Sequence, residues 1–396
     1  MRLQSSPELE RYRAEVRAFI AEHSPGERTH TGVRAPDPEQ IPKLRAWTAA
    51  LFSAGYLGQN WPPEFGGQRN PDQAKSFVVA EEIARARAWE QVGAGPLASG
   101  AVIAFGTPEQ QAGYLPKIRS GEHLWCQLFS EPGAGSDLAG LSTKARLVGD
   151  HYVINGQKVW TTNGHHADMG YLLARTDPTA SKHRGITAFA LNMKTPGVDV
   201  RPLREITGTS DFNEVFLDDV QIPITDVIGE VNEGWKVANA SLGHERSGVA
   251  ARGVELFGQL GDLIDLAETR RCDGVRPLDD GATRANLARL ATRIHVTDLM
   301  SKTVQSRMIH KTEGPGDAPL VKIAFSEVNL AAAELGVRVQ GIDGLLTEED
   351  DAPIADGWWQ DAFLYARAYT IAGGANEVLR TVVAERAFGL PREPVW

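Results

Sequence analysis

The spacing of apolar positions changes period twice along the chain. Leu9, Tyr12, Val16, Phe19 and Ile20 recur three and four residues apart, which places them on one face of a helix. Ser6 stands where a cap belongs, and Pro7 suits the first helical position. Further helical patterns are predicted over 41–52 and from about Asp72 to Arg87. Between them, Gly55, Pro62, Pro63, Gly66 and Gly67 mark a turn-rich segment. From about residue 121 the period falls to two. ARLV, Gly149-Asp150 and HYVI read as a hairpin, and HYVI, Asn155-Gly156 and QKVW read as a second one. GYLLAR, ITAFALN and NEVFLDDVQI supply further strands. From about residue 230 the helical period returns. One long helix is predicted from near Asn232 towards Arg271, with others near 282–310, 318–339 and 358–387. Segments 311–319 and 342–357 read as loops, the acidic run of the second being solvated.

This pattern predicts a mainly α chain with a central antiparallel β domain. Its parts are an N-terminal helical domain over 1–120, a middle β domain over 121–229 and a C-terminal helical bundle over 230–396. The alternating βαβ units of a doubly wound sheet are missing, and no GxGxxG follows a strand. A nucleotide cofactor would have to be held in another way.

Composition narrows the function classes. The 396 residues suffice for two or three domains, and 42% are hydrophobic. A net charge of −10, from 41 basic and 51 acidic residues, argues against nucleic acid, which demands a basic face. No apolar run approaches a membrane span, and the charged N-terminus lacks the apolar stretch of a signal peptide. The two cysteines, Cys126 and Cys272, form no CxxC, so no metal site is expected and a reducing cytoplasm fits.

Chemistry concentrates in two segments of the β region. Gly133, Gly135 and Ser136 follow a strand, where a glycine-rich turn lets backbone N–H groups approach a phosphate or a flavin edge. Taken alone, EPGAGSD reads equally well as a plain β-turn. Trp160, taken alone, reads as core packing.

Three segments together carry a resemblance. CQLFSEPGAGSDLAGLSTKA (126–145), NGQKVWTTNG (155–164) and IAGGANEVLRTVVAERAFGLP (371–391) resemble, in order, the motifs of the acyl-CoA dehydrogenase family. The resemblance spans nearly the whole chain. It implies noncovalent FAD and α,β-dehydrogenation of an acyl-CoA thioester to the trans-2-enoyl-CoA, with electrons passed to an electron-transferring flavoprotein. It implies a homo-oligomer, dimer or tetramer, with a heteromer as the alternative. By matching positions, Phe129 and Ser130 lie along the flavin with Gly135. Ser136 meets its phosphates or the CoA arm. Trp160 packs near the isoalloxazine, and Thr162 hydrogen-bonds near its reactive nitrogen.

The resemblance breaks at the base. The reaction needs an anionic group within reach of the α-proton. In most family members this is a glutamate opening an E-G-T-S-E-I-Q-R-like motif, and Gly373 occupies its place here. A minority of the family carries the glutamate on the first long helix of the C-terminal bundle, just before an arginine. Glu245 and Arg246 match those positions, with Arg246 set to orient the carboxylate or the acyl carbonyl. Glu377 ranks second as base and His244 third. If no base is present, the alternatives are a flavin oxidase or monooxygenase, or a noncatalytic subunit of a heteromeric dehydrogenase. The motifs that clasp a neighbouring subunit's adenosine are also altered. Arg270 remains as the pyrophosphate partner, but Asp273 replaces an aromatic, and Gly341-Ile342-Asp343-Gly344 has lost a glycine.

Overall fold

A computed structural model describes residues 6–242, 249–272, 274–351 and 353–392. The first helix, α1 (Pro7–His23), is capped as expected, with Ser6 Oγ accepting from the Leu9 N–H at 3.2 Å. Its Val16 and Ile20 bury against Trp47 and Leu51 of α2 (Ile41–Ser53) and against Val79 and Ile83 of α3 (Gln73–Arg85). Two helices not singled out by periodicity follow, α4 (Gly95–Phe105) and α5 (Pro108–Arg119). The middle of α4, from Leu97 to Val102, is buried all round. Such a helix has no polar face and shows no amphipathic signal.

The middle region is one sheet. Its strands are β1 (Trp125–Leu128), β2 (Lys144–Val148), β3 (His151–Thr162), β4 (Met169–Arg175), β5 (Ile186–Asn192), β6 (Val198–Leu203), β7 (Phe212–Pro223) and β8 (Val227–Ile228). They lie in the order β6-β7-β3-β2-β4-β5-β8, with β1 added beside β4. The sheet is mainly antiparallel, but β1 runs parallel to β4, so the antiparallel expectation needs this correction. The Gly149-Asp150 hairpin forms as expected, with Gly149 at φ +62° and Val148 facing His151.

The second expected hairpin does not form. Asn155-Gly156 lies inside the continuous strand β3, at an irregularity in its pairing with β7. A Cβ on Gly156 would come within 2.8 Å of Thr143 Cα, so close approach to β2's start requires this glycine, not a turn. Asn155 Nδ2 donates to Asp219 Oδ1 at 2.9 Å and pins the bulge.

The C-terminal part contains α6 (Gly234–Leu242), α7 (Val249–Thr269), α8 (Gly281–Ile309), α9 (Asp317–Val339), α10 (Trp358–Ile371) and α11 (Asn376–Val382). Leu256, Leu263, Ile294, Phe325 and Trp359 form the core of this bundle. The single helix expected over 358–387 is broken between α10 and α11. Gly373 and Gly374 there take φ +65° and +97°, which a helix cannot contain. Lys322 of α9 holds the break by donating to the Gly374 carbonyl at 2.7 Å and to Asn376 Oδ1 at 2.9 Å.

Arg34 ties all three regions together. Its buried guanidinium donates to Asp211, just before β7, at 2.9 Å and to Asp361 of α10 at 2.6 Å. No helix among the described residues is long and apolar enough to cross a membrane.

Candidate active site

The site is built where β1 and β3 end side by side. Phe129, directly after β1, is buried edge-on against Tyr171 with ring centroids 4.9 Å apart. The chain then turns tightly, with Glu131 N–H donating to the Ala134 carbonyl at 3.1 Å and Ala134 N–H returning to Glu131 at 3.0 Å. EPGA is therefore a β-turn. Its glycines are not there for a left-handed conformation, since neither Gly133 nor Gly135 has a positive φ. Nothing lies within 4 Å of a Cβ built on either one, so both face open space. Ser136 is exposed on the same stretch.

A buried ion pair joins this turn to β3. Lys158 is 0% exposed, and its Nζ donates to Glu131 Oε1 at 2.7 Å and to the Phe129 carbonyl at 3.0 Å. Glu131, 5% exposed, also accepts from Ser142 N–H at 2.6 Å, Ser142 Oγ at 2.8 Å and Thr143 N–H at 3.0 Å. Burial pushes the Glu131 carboxyl up, but the charge and hydrogen bond of Lys158 and the donors at Thr143 and Ser142 outweigh it and hold it at about 2. Burial pulls Lys158 down to about 8, against the pull of Glu131. Both groups are therefore ionised at neutral pH. Sequence reasoning missed both residues, although each lies inside a quoted motif. A lysine in a strand reads as a solvent-facing position.

The pair sets the geometry of the two motifs. Val159 N–H donates to the Ser130 carbonyl at 2.9 Å, which brings Ser130 against the residue before Trp160. The ladder to β7 is irregular between Lys158 and Thr161, and Trp160 takes φ +59°. That conformation is rare for an aromatic residue and marks a positioned side chain. Trp160 is 59% exposed, touching the edge of Phe212 at 6.0 Å, so the core-packing alternative does not apply. Thr162 is half-buried at the strand's end. A large outward-facing indole beside an open, glycine-lined turn fits a flat aromatic cofactor with a phosphate arm.

Glu245, Arg246 and His244 fall in 243–248, outside the described residues, as does Asp273. Glu377 is exposed in the first turn of α11 and pairs with Arg380 at 3.4 Å. Lys322, which props the break at Gly373, is held down to about 8 by burial. Arg270 is not extended towards solvent. It forms an ion pair with Asp343 of the same chain, and its Nε is buried without a partner among the described residues. The two altered clasp segments thus close on each other.

Comparison with known proteins covers the same span. The acyl-CoA dehydrogenase N-terminal, middle and C-terminal domain families match residues 6–122, 126–220 and 232–388. The acyl-CoA dehydrogenase IpdE1 of Mycobacterium tuberculosis is 38% identical over 393 residues, covering 98% of this chain and 99% of the relative. Among solved structures, the Tcur3481-Tcur3483 steroid ACAD superposes with a TM-score of 0.88 at 29% identity, covering 99% of this chain and all of the other. The ChsE4-ChsE5 complex from M. tuberculosis gives 0.83 at 31% identity, over 99% and 100%.

Proposed function

We propose, since the chain belongs to the acyl-CoA dehydrogenase family, that it converts an acyl-CoA thioester to the trans-2-enoyl-CoA. It is an FAD-dependent oxidoreductase of that family. The observation that best supports a flavin seat in this chain is the Lys158–Glu131 lock, which presents Trp160 outward beside the open Gly133–Gly135 turn.

Bound FAD supplies the hydride acceptor, a role no side chain can fill. The chain's own residues hold it and handle the proton. Phe129 and Ser130 line the ring with Trp160, Thr162 hydrogen-bonds beside its reactive edge, and Gly135 and Ser136 take the phosphates or the CoA arm. Glu245 removes the α-proton, and Arg246 orients the carboxylate or the thioester carbonyl. Desolvation by bound substrate makes a carboxylate more basic, which suits this role. Electrons leave to an electron-transferring flavoprotein.

Assembly is read from Arg270. Because Arg270 is engaged by Asp343, we favour a heteromer in which a second chain type completes the adenosine half of the FAD site. A relative solved as a complex of two named components supports that choice. The steroid ACAD likeness makes a steroid-type acyl-CoA the first substrate class to try. We place the enzyme in the cytoplasm on its two unpaired cysteines.

The test is anaerobic mixing of the yellow, FAD-loaded enzyme with a panel of acyl-CoA thioesters. Bleaching, with a 2-enoyl-CoA product by mass spectrometry and slow reoxidation by air, is expected. Rapid reoxidation by oxygen would make it an oxidase. A folded protein, with its partner, that takes up no FAD would defeat the proposal.

A further inference from the structure

Trp160 sits between two buried ion pairs. Lys158–Glu131 holds the chain just before it. Arg34–Asp211 holds the chain just after it. The Asp211 carbonyl accepts the Asn163 N–H at 3.0 Å, directly beyond Thr162. Phe212, the next residue, pairs with Thr162 where β3 and β7 meet and touches the Trp160 ring edge-on. The Asp211 carboxylate is in turn held by Arg34 Nη1 at 2.9 Å, the Ala35 N–H at 2.7 Å and Thr209 Oγ1 at 2.8 Å. Pairing of β3 with β7 is irregular between Lys158 and Thr161, so the ladder alone does not fix the direction of the indole.

The second pair differs from the first in reaching the bundle. Arg34 Nη2 donates to both carboxylate oxygens of Asp361 in α10, each at 2.6 Å. The guanidinium lies 4.6 Å over the ring of Tyr365, one turn further along the same helix. The Tyr365 hydroxyl accepts the Val33 N–H at 2.9 Å. Gly32 is required for this approach, because a Cβ there would come within 2.0 Å of the Tyr365 ring. The segment from Gly32 to Ala35 therefore packs directly on α10, the helix that ends two residues before Gly373. A buried guanidinium shared by two carboxylates is a weak source of stability, since desolvation offsets the attraction. Its planar fork supplies direction instead, with one nitrogen for the sheet and one for the bundle.

We infer that Arg34 is a positioning residue of the cofactor seat, holding the Trp160–Thr162 segment of the sheet in a fixed place relative to α10. The inference rests on the flavin reading above and adds to it a residue that acts through Asp211. Loss of either carboxylate contact lets the sheet and the bundle shift against each other. A displacement of about 1 Å at a reacting group can cost about a hundredfold in rate.

The test uses Asp361→Asn and Arg34→Lys in the assembled, FAD-loaded enzyme. Asp361→Asn leaves Arg34 paired with Asp211 alone, so folding is expected to survive. Arg34→Lys keeps the charge but lacks the fork that spans both carboxylates. Both are expected to slow flavin reduction at saturating acyl-CoA by about tenfold or more, with KM within about threefold of the wild type. The visible circular dichroism of bound FAD is expected to change with it. A merely structural role would lower stability and leave the rate per bound FAD unchanged. Incorporated fluorotryptophan gives a second readout that needs no cofactor. The Trp160 signal, identified by its loss in Trp160→Phe, is expected to shift in both variants, while that of Trp47 in α2 stays in place. An unmoved Trp160 signal in both variants, or an unchanged reduction rate in both, overturns the inference. A wild-type enzyme that binds no FAD, or whose FAD no thioester reduces, counts against the proposed function, and the Trp160 signal then decides the inference alone.

Discussion

Lys158 Nζ lies 2.7 Å from Glu131 Oε1, with both side chains sealed from solvent where the EPGAGSD turn meets the QKVWTT strand. Removing one partner of a buried pair leaves an uncompensated charge, which costs about 3–5 kcal/mol. Lys158→Met is expected to lose that much stability by urea unfolding and to release FAD. The double substitution Lys158→Met with Glu131→Gln should be less destabilised than the single Lys158→Met, because no charge remains buried. Additive losses would show that the two residues act separately.

The same pair gives the protein an acid limit. Glu131 titrates at about 2 when folded, against an ordinary value of 4.5. Its contribution, about 3 kcal/mol for that difference, is fully present above pH 4.5. It shrinks as the unfolded chain takes up the proton, and is lost as the pH falls through 2. Unfolding free energies measured between pH 6 and pH 3 should fall more steeply for the wild type than for the double variant. Parallel slopes would remove Glu131 from the acid response.

Local patterns were legible and long-range ones were not. Ser6 capping α1 and Gly149 turning the first hairpin each depend on residues adjacent in sequence. Gly156 carried the same signal as a hairpin glycine, and only its distance from Thr143 distinguishes a bulge. Gly373 was noticed for the glutamate it lacks, while its role in ending α10 needed the support of Lys322 from another helix. Phe129, Ser130 and Trp160 stand out in the sequence through the resemblance, but the pair that joins their two segments spans residues 131 and 158 and needed the fold. Nor could the spacing from Arg270 to Asp343 announce that they meet.

Glu245→Gln is expected to retain FAD and bind acyl-CoA while losing about three orders of magnitude in turnover, within the range for a general base. Stopped-flow flavin reduction measures this directly. Gly373→Glu in that background should recover a small part. Nothing lies within 4 Å of a Cβ there, so space is available, but φ +65° strains any L side chain by about 1 kcal/mol or more. Wild-type turnover in Glu245→Gln, with Glu377→Gln inactive, would move the base to α11.

Asp343 lies in the segment that resembles the family's glycine-rich clasp turn, and it pairs with Arg270. A carboxylate at this position opposes a phosphate twice, by its own charge and by occupying the guanidinium. Asp343→Gly removes both effects. The pair is partly exposed, so its loss should change stability by no more than about 1 kcal/mol. If the closed pair is what keeps this chain from completing a second copy's FAD site, Asp343→Gly should strengthen FAD retention by the chain purified alone, measured as FAD-to-protein ratio after dialysis. Arg270→Ala in the same background should cancel the gain. A wild-type chain that already retains one FAD per copy as a homo-oligomer, unaffected by Arg270→Ala, would show that the adenosine half is held without this arginine and without a second chain type.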